Sequence, residues 1–346
     1  MSAQPLAGPG ALMAAEIAEQ PAVLDRLLAD GIGELADVSA RIRRYAPRFV
    51  LLAARGTSDH AALYAKYLAE IRMAVPAGLA SPSALTVFGA RPDLRGVLFL
   101  AVSQSGGSPD LVDSVGIARA CGALTVAVTN SPDSELAGAA ALQVDVRAGA
   151  ERAVAATKSY TAQLLALYLL LAGDSDGVAP AELAAPLAAA AERTLAAGAG
   201  IAAAHRYRDV DRLVLTGRGY SYPGAREAAL KLMETSYLSA QAFSGADLMH
   251  GPLAMIDAAV PVIALVPPGR GGAAMAPVLQ RLAAIGADVL PVGRAEGIAL
   301  SHEGIAEELL PILEILPLQQ LAWRLALDRG ADPDRPRGLA KVTRTW

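Results

Sequence analysis

The densest run of hydrogen-bonding side chains is Ser103-Gln104-Ser105-Gly106-Gly107-Ser108-Pro109-Asp110. It stands directly behind an apolar run, 97–102, and directly ahead of a helix-length segment, 109–121. Ser108 suits an N-cap and Pro109 the first helical position. Glycines let a ligand approach the backbone, and a helix start offers free N–H groups with partial positive charge. The loop contains no lysine, which separates it from a nucleotide P-loop. Hydroxyl donors without a cation suit the phosphate monoester of a small molecule. An ordinary strand–turn–helix joint needs one capping serine, and this run has more than that. A second loop, Arg55-Gly56-Thr57-Ser58, also follows an apolar run and opens a helix. Alone it is explained as well by capping as by ligand contact. Ligands of open α/β sheets bind beyond the carboxyl ends of the strands, which would bring both loops to one edge.

The second half carries different chemistry. Lys231 and Glu234 are three apart and share a helix face, and Met249-His250-Gly251-Pro252 follows. On spacing alone the pair reads as a solvated Lys–Glu face, and a lone histidine as structural. The last candidate is Arg335-Pro336-Arg337-Gly338-Leu339-Ala340-Lys341, where a tail lysine is commonly a charge in water. Residue types alone therefore lead to a phosphate-binding protein and no further.

These residues must be positioned by alternating elements. Residues 1–10 are expected to lack regular structure, and 13–29 reads as an amphipathic helix broken near Pro21. Strand-length apolar runs fall at 49–53, 97–102 and 124–128, with a weaker one at 143–146. Helix-length segments fall at 59–72, 109–121 and 154–172. The stretch 172–180 has linker composition, followed by a long alanine-rich helix to about residue 204. Strands then recur at 213–216, 260–266 and 288–292, with helices at 225–241, 273–285 and 318–328. Gly56 of the first half and Gly219 of Arg218-Gly219-Tyr220-Ser221 lie 163 positions apart, and the same offset carries 99–103 onto 262–266 and 123–128 onto 286–291. That common register argues for duplication of one domain. The expected fold class is α/β, with two tandem doubly wound parallel-sheet domains, a helical N-terminal extension and an irregular C-terminal one. The boundaries are 1–30, 31–172, 173–204, 205–330 and 331–346. Where the serine loop would recur, the second half has Pro267-Pro268-Gly269-Arg270, without hydroxyls.

Composition narrows the function classes. Of 346 residues, 53% are hydrophobic and 18% charged, so a large core is available. Thirty Lys and Arg against 34 Asp and Glu leave −4, with no basic stripe for nucleic acid. Cys121 is the single cysteine, which excludes an internal disulfide framework and a cysteine zinc site. The four histidines, His60, His205, His250 and His302, are too scattered to read as a metal cluster. Mean hydropathy is positive, +0.37. The most apolar stretch, 162–172, is nevertheless only eleven residues long, too short to cross ~30 Å of hydrocarbon. With no export signal, a soluble cytoplasmic protein is expected.

The chain resembles the tandem sugar isomerase (SIS) domain family, in particular the isomerase half of glucosamine-6-phosphate synthase and the stand-alone glucosamine-6-phosphate deaminases. The resemblance covers about residues 13–346. It is carried by Met13-x3-Ile17-x2-Gln20-Pro21, Arg-Gly-Thr-Ser at 55–58, Ser-Gln-Ser-Gly at 103–106 and Ala-Thr-Lys-Ser-Tyr-Thr at 156–161. Further matches are Gly-Arg-Gly-x2-Tyr-Pro at 217–223, Ala-Leu-Lys-Leu-Met-Glu-x-Ser-Tyr at 229–237, His-Gly-Pro-Leu-Ala at 250–254 and Arg-Pro-Arg-Gly-Leu-Ala-Lys at 335–341. It implies that Ser103, Gln104, Ser105 and Ser108 bind a sugar phosphate, with Thr57 beside them; Ser58, in the same loop as Thr57, could contact the same ligand by its place at the strand ends. Glu234 falls on the base that moves a proton between C1 and C2, Lys231 on its partner, and His250 on a ring-opening histidine reaching in from a neighbouring subunit. Lys341 falls on a tail lysine that can form an imine, and Val154 on a backbone contact to the sugar.

The implied activity is isomerisation of a phosphorylated aminosugar. The leading expectation is conversion of glucosamine 6-phosphate to fructose 6-phosphate and ammonia by a homodimer with no metal or organic cofactor. A non-deaminating isomerase, a deaminase of another aminosugar phosphate and a non-catalytic sugar-phosphate-binding regulator are the alternatives. Neither nucleic acid nor membrane is an expected partner. The sequence departs from the synthase by lacking a glutaminase domain and an initial cysteine, by Ala156 and Gly107, and by its ending Val-Thr-Arg-Thr-Trp346. Ammonia release from glutamine is therefore not expected.

Overall fold

A computed structural model of the protein describes residues 8–175 and 177–341. The expectations for residues 1–7 and for the ending 342–346 lie outside the described residues. Residues 8–10, expected to be irregular, are tied down: Asp332 Oδ1 accepts from Gly10 N at 2.9 Å, and Trp323 Nε1 donates to Gly10 O at 2.9 Å.

The chain forms two compact units. One comprises Ala22–Ala150 and Lys158–Ala185. Its parallel sheet contains β1 (Phe49–Ala53), β2 (Ala77–Leu79), β3 (Val97–Ser103), β4 (Leu124–Thr129) and β5 (Leu142–Asp145), in the order β2-β1-β3-β4-β5. All but the first residue of β3 is buried, the pattern of a parallel strand covered on both faces. Phe99, Leu111, Val115 and Leu136 pack in the core between this sheet and its helices. Every residue of the helix Lys158–Leu171 is buried, and it packs on the helices Thr57–Arg72 and Ile32–Tyr45. Its apolar character on all sides is what an internal helix requires.

The second unit comprises residues 8–21, Glu151–Thr157 and Pro186–Lys341. Its parallel sheet has β6 (Arg212–Gly217), β7 (Ser239–Ser244), β8 (Val262–Leu265) and β9 (Val289–Val292), in the order β7-β6-β8-β9. The repeat extends to pairing register. Val50 pairs with Ala77 and Leu213 with Ala240; Leu51 pairs with Phe99 and Val214 with Val262. All four partners shift by the same 163 positions. The last strand slips by one, because Phe99 pairs with Thr125 but Val262 with Val289. The positions matching β5 run instead into a 3₁₀ turn, Glu307–Leu309.

Several element boundaries differ from expectation. The helix expected at 154–172 begins at Lys158, because side-chain carboxylates hold the preceding backbone amides. The helix expected over 225–241 spans Ser221–Ser236; Tyr237 turns left-handed at φ +57° and β7 follows. The alanine-rich helix is divided into Pro180–Ala184, Leu187–Ala196 and Ala199–Ala203, with Pro186 and the left-handed Gly198 at the breaks. The last helix begins at Leu310 and carries Pro317 inside it. Among the described residues no helix is long and apolar enough to cross a membrane.

Candidate functional site

Between β1 and β3 the strand order changes direction, and the crevice beyond their carboxyl ends is where open α/β sheets bind ligands. The loops leaving these two strands are Arg55-Gly56-Thr57-Ser58 and the serine loop. Ser103 closes β3, is buried, and accepts the Gly106 N–H at 3.0 Å. Ser105 Oγ lies 3.4 Å from Gly107 N. Gly106 is left-handed at φ +63°, and a Cβ there would drive into Ser134, so the turn requires glycine. The Gly106 carbonyl takes the N–H of Leu136, and Ser131 Oγ reaches the Gln104 carbonyl. Ser108 occupies the N-cap of the helix Pro109–Ala120 in an extended conformation, but its hydroxyl makes no capping bond.

Arg55 and Asp110 add what residue spacing did not reveal. Their side chains pair at 2.6 Å, with Asp110 buried in the first helical turn. The cation beside the serine loop is thus neutralised from within and ties the two loops together. The cap of the helix Thr57–Arg72 is Gly56, at φ +55°, and not a hydroxyl of Thr57 or Ser58. Ser58 is buried and accepts from Gln163 Nε2 at 3.1 Å.

The other unit holds Lys231, Glu234, His250, Lys341 and Val154. The solvated reading of Lys231 is wrong: its side chain is fully buried on the helix Ser221–Ser236. Its Nζ lies 2.6 Å from Glu234 Oε2 and 3.3 Å from Glu227 Oε1. Burial opposes its charge, but attraction to Glu227 and Glu234 outweighs burial and holds the lysine above its ordinary value. Glu227 is fully buried as well, whereas Glu234 keeps 21% of its side-chain surface exposed. The arrangement is a carboxylate fixed by one oxygen yet reachable by solute. Glu227, four residues before Lys231, is the member of this trio that sequence reasoning passed over.

His250 is exposed at the end of the helix Gly245–Met249, and Gly251 follows at φ +131°, a conformation for glycine alone. Tyr237 locates the tail: its ring carries the Arg337 guanidinium at 4.1 Å and its hydroxyl accepts the Arg337 N–H at 3.0 Å. Lys341 Nζ then reaches Glu151 Oε2 at 3.1 Å and Ala153 O at 2.7 Å. Val154, partly buried, is the next residue of that segment. Among the described residues no cluster could hold a metal ion.

The place matching the serine loop in this unit has its donors occupied. Glu307 accepts from Arg270 N at 2.9 Å and from Gly271 N at 2.7 Å. A carboxylate of the chain itself fills the anionic role there.

A family model described as the SIS domain matches residues 45–173 and 206–297. Glutamine–fructose-6-phosphate aminotransferase (isomerizing) of Gloeobacter violaceus is 35% identical, over 95% of this chain and 58% of that protein. The enzyme of the same name from Pyrococcus horikoshii is 33% identical, over 95% and 57%. The chain therefore spans under three-fifths of the length of these relatives. Among solved structures, the C-terminal domain of glucosamine-fructose-6-phosphate aminotransferase from Francisella tularensis superposes with a TM-score of 0.82 at 28% identity, covering 94% of this chain and 98% of that one. Glucosamine-6-phosphate deaminase from Thermotoga maritima gives 0.77 at 23% identity over 96% and 100%, a likeness of fold alone. With both of its sheets inside the matched residues, the chain belongs to the SIS domain family.

Proposed function

We infer that the protein is a phosphosugar isomerase that converts glucosamine 6-phosphate to fructose 6-phosphate and ammonia. The observation that carries this reading is the buried Lys231 held between Glu227 and Glu234, a fixed and partly exposed carboxylate of the kind proton transfer at carbon needs. Ser103, Gln104, Ser105 and Ser108, with Thr57 and Ser58, take the phosphate. The main chain at Val154 contacts the sugar. Anchoring the phosphate supplies binding energy remote from the reacting carbons.

In the proposed reaction His250 opens the sugar ring, acting on the partner subunit's substrate in a homodimer. Its exposed position beyond Met249, itself an exposed apolar residue, supports that assignment. Glu234 removes the C2 proton of the open-chain aldehyde and returns it to C1, giving a 2-imino ketose. Water adds to the imine carbon and ammonia leaves. On the product side, Lys341 adds to the C2 carbonyl of fructose 6-phosphate and water leaves, giving an imine at C2. The chain's own residues suffice for these steps, and the reading uses no cofactor.

A coupled assay for ammonia and ketose 6-phosphate, on the parent and on Glu234→Gln, tests this. Both products from the parent and neither from the variant are expected. Aldose–ketose interconversion without ammonia would reassign the protein to the non-deaminating isomerases, and tight sugar-phosphate binding without conversion to the regulators.

A further inference from the structure

The segment Glu151–Thr157 has no regular structure, yet Glu151, Ala153, Ala155 and Thr157 are buried. Side chains hold it. The Glu16 carboxylate, from the helix Ala11–Ala18, accepts the backbone N–H groups of Arg152 and Ala153. Glu151 Oε1 accepts the Thr157 N–H at 2.9 Å. Gln319 Nε2 donates to Thr157 O at 3.3 Å and its Oε1 accepts from Gln20 Nε2 at 2.8 Å. The N-terminal Met-x3-Ile-x2-Gln-Pro motif thus has a physical role in clamping this segment.

The clamped segment offers two acceptors to one cation. Lys341 Nζ meets Glu151 Oε2 at 3.1 Å and Ala153 O at 2.7 Å, with the Glu151 side chain fully buried. Glu16 adds a second carboxyl nearby. Burial pushes it up to about 7, the Arg152 and Ala153 amides pull it back, and the Glu151 charge adds to the rise. Asp334 is engaged elsewhere, on Leu12 N and Met13 N, and the Arg152 side chain is exposed.

We propose that Glu151 is the positioning residue of the tail lysine, seating Lys341 as an ammonium and taking its proton as the lysine leaves to attack a sugar carbonyl, with Glu16 holding the seat. The inference rests on the imine-forming role given to Lys341 above. One ammonium proton passes to Glu151 Oε2, and the amine nitrogen adds to the carbonyl carbon, whose π pair moves to oxygen. A second proton goes from nitrogen to that oxygen. The proton on Glu151 then completes the departing water, leaving a protonated imine and the carboxylate restored.

Borohydride trapping of fructose 6-phosphate on the full chain, read by peptide mass at Lys341, tests the seat. In Glu151→Gln, which keeps an acceptor but cannot take a proton, trapping should slow about tenfold or more. Glu151→Asp should return to within about threefold of the parent, and the KM for the sugar phosphate should stay within about twofold in both. A Glu151→Gln variant that traps as fast as the parent overturns the proposal. Labelling of Lys341 by acetic anhydride at pH 8, without sugar, separates the seat from the imine chemistry. Several-fold faster labelling in Glu151→Gln supports a seat even if the parent traps nothing, in which case only the imine reading falls. Equal labelling rates overturn the seat. Should Glu151→Gln not fold, Glu151→Asp carries the labelling measurement, with faster labelling expected and an unchanged rate overturning the proposal.

Discussion

Lys231 and Glu227 face each other one helical turn apart, 3.3 Å between Nζ and Oε1, with neither side chain exposed to solvent. A buried ion pair is weak evidence of net stability, because desolvation offsets attraction. Removing one partner is costly, because it leaves a charge buried without compensation. Glu227→Gln is expected to lower unfolding free energy by about 3 kcal/mol in urea titration. Each variant leaves Lys231 one carboxylate, but Glu234→Gln should cost less, because Glu234 is partly exposed and the fully buried Lys231–Glu227 pair stays intact. Equal effects would mean that the two carboxylates share the burden.

Gly106→Ala should damage the proposed phosphate loop selectively. The residue is left-handed and its missing Cβ points at Ser134. Steady-state kinetics should show KM for the sugar phosphate raised about tenfold or more, with secondary structure by circular dichroism unchanged. An unchanged KM would remove this loop from the binding site.

Glu307→Ala tests the division between the two halves. It strips the acceptor from Arg270 N and Gly271 N, and loss of hydrogen bonds to a charged group should cost about 1–3 kcal/mol of stability. KM should remain within about twofold, because the carboxylate completes a fold and holds no substrate. A large KM change with little loss of stability would point to a working site there.

Glu314 predicts how stability varies with pH. It is fully buried, Oε1 accepts from Ser221 Oγ at 2.8 Å, and Oε2 has no hydrogen-bond partner among the described residues. Burial raises it to about 8; the Ser221 bond pulls it back and the Glu307 charge adds to the rise. Between the ordinary 4.5 and about 8 the folded chain therefore binds a proton that the unfolded chain lacks. The stabilisation is full below 4.5 and is lost as pH rises through this window, on the order of 1 kcal/mol per pH unit. In Glu314→Gln the slope of unfolding free energy between pH 5 and 8 should be flatter than in the parent; matching slopes would contradict the assignment.

The strands that sequence patterning located are those buried on both faces. Val97–Ser103 reads as one apolar run because no residue of it needs to meet water. The strands it missed are edges: Ala77–Leu79 is three residues long, and Ser239–Ser244 alternates around an exposed Gln241. The two missed strands lie at equivalent places in the repeat, 163 positions apart, so neither could reveal the other. Of the candidate site, the conformation of the serine loop was legible because it resides in local backbone and side-chain types. Lys231 was not, because helical spacing states which residues are neighbours and not which face is covered. The Arg55–Asp110 pair and the hold of Glu151 on Lys341 link residues 55 and 190 positions apart, beyond the reach of any local pattern.

In the proposed reaction the Glu234 carboxylate carries a proton between adjacent carbons of a sugar phosphate, and hydrogen exchange at carbon reads this directly. Fructose 6-phosphate incubated with the protein in deuterated water should take up deuterium at C1 by NMR, and Glu234→Gln should reduce that rate by roughly a hundredfold or more while still binding the sugar. Exchange in the variant at the parent's rate, or none in a parent that binds the sugar, would contradict the account.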